Sequence, residues 1–168
     1  MAIQRLDNVA IVVDDLDAAV AFFVELGMEW EARASIEGVW ADQTVGLDGV
    51  RSEIVMLRTP DGNGRLELTK YEAPTAVTPD MPAPPANTLG LHRVMFAVDD
   101  VQDTLERLRP HGGEVLGEVA QFGDLDRLQP GLAGLWIVIT RRGGGDVDGE
   151  QQDDQRQTFK TAVAMTDE

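Results

Sequence analysis

The chain has 168 residues, which is enough for one domain or for two small modules with a hydrophobic core. Acidic residues outnumber basic ones 30 to 14, and the net charge of −16 disfavours binding to nucleic acid or to an anionic membrane surface. The sequence has no cysteine and only two histidines. Disulfides, thiolate metal sites, cysteine nucleophiles and a three-histidine site within one chain are therefore excluded.

The N-terminal segment predicts no export or membrane insertion. It lacks the basic start and small-residue cleavage site of a signal peptide. No apolar run of the sequence approaches the roughly 20 residues that a membrane-spanning helix needs. These features favour a cytoplasmic protein.

A weak internal repeat divides the sequence. Residues 8–33 and 93–118 align without a gap at an offset of 85, with identities at six positions. Each copy begins with a short apolar run, as expected for a buried strand, and the run ends in Val-Asp-Asp. The aspartates suit the N-cap of a helix, and apolar residues then recur at helical spacing up to a glycine that suits its C-cap. Each copy therefore predicts a strand, a helix and a following strand.

Two further strands are predicted in the first copy, at Arg51–Arg58 and Arg65–Tyr71, joined by a turn at residues 59–62. In the second of them, Leu66 and Leu68 alternate with Glu67 and Thr69, which indicates one apolar and one polar face. Residues 1–71 thus form a βαβββ module, and the proline-rich residues 72–88 form a linker. Residues 89–140 are expected to repeat the module, with an unclear pattern after residue 120 and a closing strand at 135–140. Residues 141–168 are expected to be a flexible tail.

Three segments carry a resemblance to a known family: LDNVAIVVDDLDAAVAFFVELGM, RTPDGNGRLELTKY and LGLHRVMFAVDDVQDTLERLRPHGGE. They resemble the vicinal oxygen chelate superfamily, which includes glyoxalase I, bleomycin-resistance proteins, extradiol dioxygenases and methylmalonyl-CoA epimerase. The resemblance implies an α+β fold in which two βαβββ modules form an open, cupped mixed sheet around a cavity, here with an irregular C-terminal end. It also implies homodimers, and often one divalent metal held by the first and last strands of each module.

The family's metal positions can be counted in this sequence. The first-strand positions, usually histidine, fall on Asn8 and Arg93, and the last-strand position of the first module falls on Glu67. The closing strand offers only Trp136 and the apolar residues 137–139. Glu67 is therefore the one clear candidate metal ligand, because a guanidinium repels a cation. The sequence favours a protein without a bound metal or other cofactor.

The same positions form the candidate site. If the family register holds, Asn8, Glu67 and Arg93 share the cavity face, where Arg93 would bind a carboxylate or enolate oxygen and Glu67 would act as a base. The alternative is an ion pair between Glu67 and Arg93 that only fills the core. Further candidate ligand-binding residues are Trp30, Trp40, Phe96 and His92, although each of them also suits a packing role.

Two functions stay open. The first is a binding protein that resembles bleomycin-resistance proteins and holds a small organic ligand without the full metal site. The second is an enzyme, a metal-dependent lyase, isomerase or dioxygenase acting on a small oxygenated substrate. The missing metal ligands favour the first.

Overall fold

A computed structural model of the chain describes residues 5–77, 90, 93–115, 120–121, 133–141 and 157–165. The chain divides into two compact units between residues 78 and 79. This boundary lies within the proline-rich segment. No helix in the described ranges is both long enough and apolar enough to cross a membrane.

The first unit is a four-stranded mixed sheet with two helices. Strand β1 pairs in parallel with β4, and the antiparallel pairs β4–β3 and β3–β2 complete the order β1-β4-β3-β2. Helix α2 was not predicted, and β4 extends two residues beyond the predicted end of the module. The elements are β1 (Val9–Val12), α1 (Leu16–Leu26), β2 (Glu29–Glu37), α2 (Val39–Val45), β3 (Arg51–Arg58) and β4 (Arg65–Ala73).

Helix α1 begins and ends at the residues that the sequence indicates. The Asp15 carboxylate accepts a hydrogen bond from the backbone N–H of Ala18 at 3.0 Å, which is N-cap geometry. At the other end Gly27 adopts φ 116°, a conformation that favours glycine, and its N–H bonds to the carbonyls of Phe23 and Val24. Both ends of α1 are therefore specified locally.

We expect Asp15→Ala to lower the free energy of unfolding by about 1 kcal/mol, because the N–H of Ala18 loses its acceptor. Asp15→Asn is the matched control, since asparagine caps a helix about as well as aspartate. Urea denaturation followed by circular dichroism measures both variants. Equal losses in the two variants would show that the side chain acts through its charge and not as a cap.

The two faces of the first sheet differ in character. Helix α1 packs on β3 and β4, where its buried residues Phe22 and Phe23 meet the face formed by Val55, Leu57 and the leucines of β4. An ion-pair network, in which Arg33 bonds both Asp17 of α1 and Glu53 of β3, lies on the same side. The opposite face is called the far face. By strand register it carries Ala10, Val12, Ser52, Ile54, Met56, Glu67, Thr69 and Tyr71.

The described residues of the second unit form a five-stranded sheet and one α-helix. The strand order is β5-β8-β9-β6, and the short strand β7 also pairs with β9. Helix α3 is capped by the Asp100 side chain, which accepts from the N–H of Asp103. The elements are β5 (Arg93–Val98), α3 (Val101–Leu108), a 3-10 turn (Arg109–His111), β6 (Gly113–Val115), β7 (Ala120–Gln121), β8 (Ala133–Arg141) and β9 (Gln157–Met165).

The second unit differs from the prediction in two ways. Residues 157–165, within the expected flexible tail, form β9 and pair with β8, β6 and β7. The composition of residues 141–156 suggested disorder, but QTFKTAVAM contains several β-formers, and the ladder with β8 supplies backbone partners. In addition, β5 lies antiparallel to β8, whereas β1 lies parallel to the last strand of its unit. The second unit is therefore not a topological copy of the first.

Candidate functional site

Glu67 is the best-defined polar group of the far face. The parallel pairing of β1 and β4 sets Ala10 opposite Glu67, and Asn8 directly precedes β1. The Asn8 side-chain amide donates to Glu67 Oε2 at 3.0 Å, and the Thr69 hydroxyl donates to Glu67 Oε1 at 3.1 Å. Each carboxylate oxygen thus accepts a hydrogen bond from a neutral donor.

Thr69 is a component of the site that the sequence analysis did not single out. Its side chain is only 6% exposed, so the hydroxyl that holds Glu67 is itself fixed by packing. The available signal was the spacing of two residues along a strand, which sets Glu67 and Thr69 on one face. We therefore describe the site as Glu67 held from two sides by Asn8 and Thr69.

The arginines near Glu67 on the sheet are paired with other carboxylates. Arg65, two residues before Glu67 on β4, bonds Glu31 at 2.9 Å, and Arg58 pairs with Glu29. The hydrogen bond from Arg65 is the main cause that lowers the pKa of the Glu31 carboxyl. Arg65 is thus committed to Glu31, and the hydrogen bonds that hold Glu67 come from uncharged side chains.

Apolar residues flank the carboxylate. Met56 lies opposite Glu67 across the β3–β4 ladder, and Ile54 lies opposite Thr69. Both are half-buried, and Val12, opposite Thr69 on β1, is 50% exposed. Glu67 therefore lies in an apolar strip that retains access to solvent, a combination typical of small-molecule sites.

The predicted trio spans the two units. Asn8 and Glu67 are in contact in the first unit, whereas Arg93 is an exposed residue at the start of β5 in the second. Its role beside Glu67 stays a prediction. His92 lies outside the described residues.

The predicted aromatic residues lie at separate places in the two units. Trp30 lies opposite Leu57 in the β2–β3 register, so it is on the α1 side of the sheet and not on the far face, and it is 57% exposed. Trp40 lies on helix α2 and is 58% exposed. Phe96 and Arg93 are three residues apart on β5, so they point to opposite faces. The period of two in a strand therefore separates Trp30 from Glu67 and Phe96 from Arg93.

At the family's metal positions, the described residues supply one carboxylate, that of Glu67. Of the family's two first-strand positions, Asn8 offers a weak neutral ligand and Arg93 a cation that repels a metal. Within the described part of the chain no three His, Cys, Asp or Glu side chains gather as a metal site would require.

These features define a class of α+β protein with a βαβββ first unit. In this unit the last strand carries a carboxylate and pairs with the first strand. The sequence matches the Glyoxalase/Bleomycin resistance protein/Dioxygenase superfamily over residues 5–127, and the chain belongs to this superfamily. The match ends close to the point where the repeat pattern becomes unclear. The predicted family and the α+β fold class are confirmed.

Among solved structures, the chain is similar to a glyoxalase family protein from Bacillus cereus. The identity is 34%, the alignment covers 99% of this chain and 97% of that one, and the TM-score is 0.73. A mutant of 4-hydroxymandelate synthase from Streptomyces coelicolor aligns at 11% identity over 97% of this chain and 49% of that chain. Its TM-score of 0.30 is too low to support an argument. No curated protein matches the chain.

Proposed function

We propose that this member of the superfamily binds a small organic ligand on the far face through Glu67, without the family's full divalent metal site. The observation that carries the proposal is the pair of hydrogen bonds from Asn8 and Thr69 that orient the Glu67 carboxylate. This arrangement prepares Glu67 as a hydrogen-bond acceptor for a ligand.

The carboxylate has capacity left for a ligand. An ionised carboxylate offers about four lone-pair sites, and Asn8 and Thr69 use two of them. A ligand N–H or O–H that reaches the remaining sites forms a charge-assisted hydrogen bond, which is stronger than a neutral one. Since Thr69 is buried and fixes one oxygen, little side-chain entropy is lost when the ligand binds.

The apolar neighbours of Glu67 determine which ligand body fits beside the carboxylate. Met56 and Ile54 present half-buried side chains beside the carboxylate, and a hydrocarbon body that covers them gains about 25 cal/mol for each Å² of apolar surface removed from water. The site therefore suits a ligand with a donor group and an apolar body.

The metal dependence of this function is tested by titrating Ni²⁺, Mn²⁺, Fe²⁺ and Zn²⁺ into purified protein while the melting temperature is followed. We expect no saturable shift. A metal at about 100 times its Kd would stabilise the fold by about 2.7 kcal/mol, which corresponds to several degrees. Saturable one-to-one binding of one of these metals that is lost in Glu67→Gln would overturn the proposal and favour a metal-dependent lyase, isomerase or dioxygenase.

Ligand binding is tested in the same thermal assay with a library of small organic compounds, applied to the wild type and to Glu67→Gln. The matched control is Glu72→Gln, because Glu72 lies on the same strand and is exposed. We expect compounds that stabilise the wild type and Glu72→Gln but not Glu67→Gln. If every stabilising compound acts equally on all three proteins, Glu67 is not the ligand's acceptor.

A further inference from the structure

Two hydroxyl groups lie on the far face beyond Glu67. Ser52 of β3 is directly opposite Tyr71 of β4, and both residues share the face of Glu67 and Thr69. The Ser52 side chain is only 6% exposed, and Tyr71 is half-buried. Among the described residues, neither hydroxyl makes a hydrogen bond.

A buried hydroxyl without a partner calls for an explanation. Burial removes the group from water, and without a new hydrogen bond that transfer costs free energy. Most buried polar side chains in folded proteins have a partner, so an unpaired one indicates a group that something else satisfies. On a face that already carries an oriented carboxylate, a bound molecule is the direct candidate.

We propose that Ser52 and Tyr71 form a second polar subsite for the same ligand, which makes the ligand an elongated molecule with two polar ends. This proposal rests on the proposed function of Glu67. Tyr71 lies four positions after Glu67 on β4, which corresponds to a rise of about 13 Å along the strand. Met56 lies beside Glu67, and Ile54 lies between the two ends. The ligand therefore presents a donor, best a cationic amine, to Glu67, an apolar middle to these side chains, and a hydroxyl or carbonyl to Ser52 and Tyr71.

Three compounds test each end separately: 8-aminooctan-1-ol, octylamine and 1-octanol, with affinities measured by calorimetry. We expect the wild type to bind the amino alcohol about five-fold more tightly than octylamine, the value of one neutral hydrogen bond. In the double variant Ser52→Ala/Tyr71→Phe the two amines should bind equally. In Glu67→Gln both amines should weaken by about 10- to 100-fold, and 1-octanol, which carries no charge, should weaken less.

The ligand-free protein provides a second measurement. Since the Ser52 hydroxyl has no described partner, Ser52→Ala should leave the melting temperature unchanged or raise it. Ser35→Ala is the matched control, because Ser35 is exposed on β2 and lies opposite Glu53, on the other side of the sheet. A marked fall in melting temperature for Ser52→Ala would give the hydroxyl a structural role and overturn the proposal.

The binding results distinguish this proposal from the function on which it rests. If the wild type binds the amino alcohol and octylamine equally while both depend on Glu67, the second subsite is wrong and the role of Glu67 stands. If octylamine binds equally to the wild type and to Glu67→Gln, the role of Glu67 fails as well. If none of the three compounds binds the wild type, the two-ended ligand is wrong, and the compound library decides the role of Glu67.

Discussion

Replacement of Phe22 by alanine is expected to lower the free energy of unfolding of the first unit by about 3–5 kcal/mol. Phe22 is fully buried, and its ring meets that of Phe23 edge to face, with centroids 5.2 Å apart. The substitution removes buried apolar surface, leaves a cavity beneath α1, and deletes an aromatic contact of about 0.5–1.5 kcal/mol beyond its buried area. A loss of this size is a large part of the free energy of unfolding of a small unit.

Urea denaturation measures this effect most directly in a Trp136→Phe background. The remaining tryptophans, Trp30 and Trp40, both belong to the first unit, so their fluorescence follows its unfolding. Val24→Ala serves as the matched control, because Val24 lies on the same helix and is 44% exposed. We expect the control to cost less than about 1 kcal/mol. A loss of similar size in both variants would mean that Phe22 does not anchor the core of this unit.

Replacement of Glu67 by glutamine is expected to weaken binding of amine ligands by about 10- to 100-fold. A hydrogen bond to a charged group is worth about 1.5–3 kcal/mol, and glutamine removes the charge while it replaces one acceptor oxygen by a donor. Asn8 and Thr69 both donate hydrogen bonds to Glu67. The new amide N–H₂ of glutamine would therefore face one of these donors and lose that hydrogen bond. We therefore expect the variant to lose up to about 1 kcal/mol of stability as well.

Calorimetric titration of octylamine and of any stabilising compound from the library measures this loss, with Glu72→Gln as the control for removal of one charge. Asn8→Ala adds an independent point. It removes one orienting hydrogen bond and leaves the charge, so we expect a smaller loss of affinity than in Glu67→Gln. Equal affinity in Glu67→Gln and the wild type would contradict the proposed function.

Membership of the superfamily does not by itself choose between binding and catalysis, because one fold hosts several chemistries and function resides in the site. The glyoxalase family protein from Bacillus cereus shares 34% of its aligned residues with this chain. The choice between binding and catalysis therefore depends on the side chains at the first and last strands of each unit. In this chain those positions include Asn8, Glu67 and Arg93.

The sequence by itself determined the local features of the first unit. Helix α1 could be predicted from its N-cap, its apolar spacing and Gly27, since all three act within a few residues. The two faces of β4 followed from alternation, because successive side chains of a strand point in opposite directions. Asn8 and Glu67 were selected by their places in a repeat and in a family pattern, and the structure places them in contact.

Only the tertiary structure decided what depends on strand pairing. The contact between Asn8 and Glu67 joins residues 59 positions apart, and it exists because β1 lies parallel to β4. The bulge near Trp30 and the register of β2 turn that side chain away from Glu67, which the sequence could not show. Likewise, β9 lies in a segment whose composition predicted a tail, and its partners are distant in sequence. Helix caps and hydrophobic periodicity depend on residues that are close in sequence. Register and strand order depend on contacts that form only when the whole sheet folds.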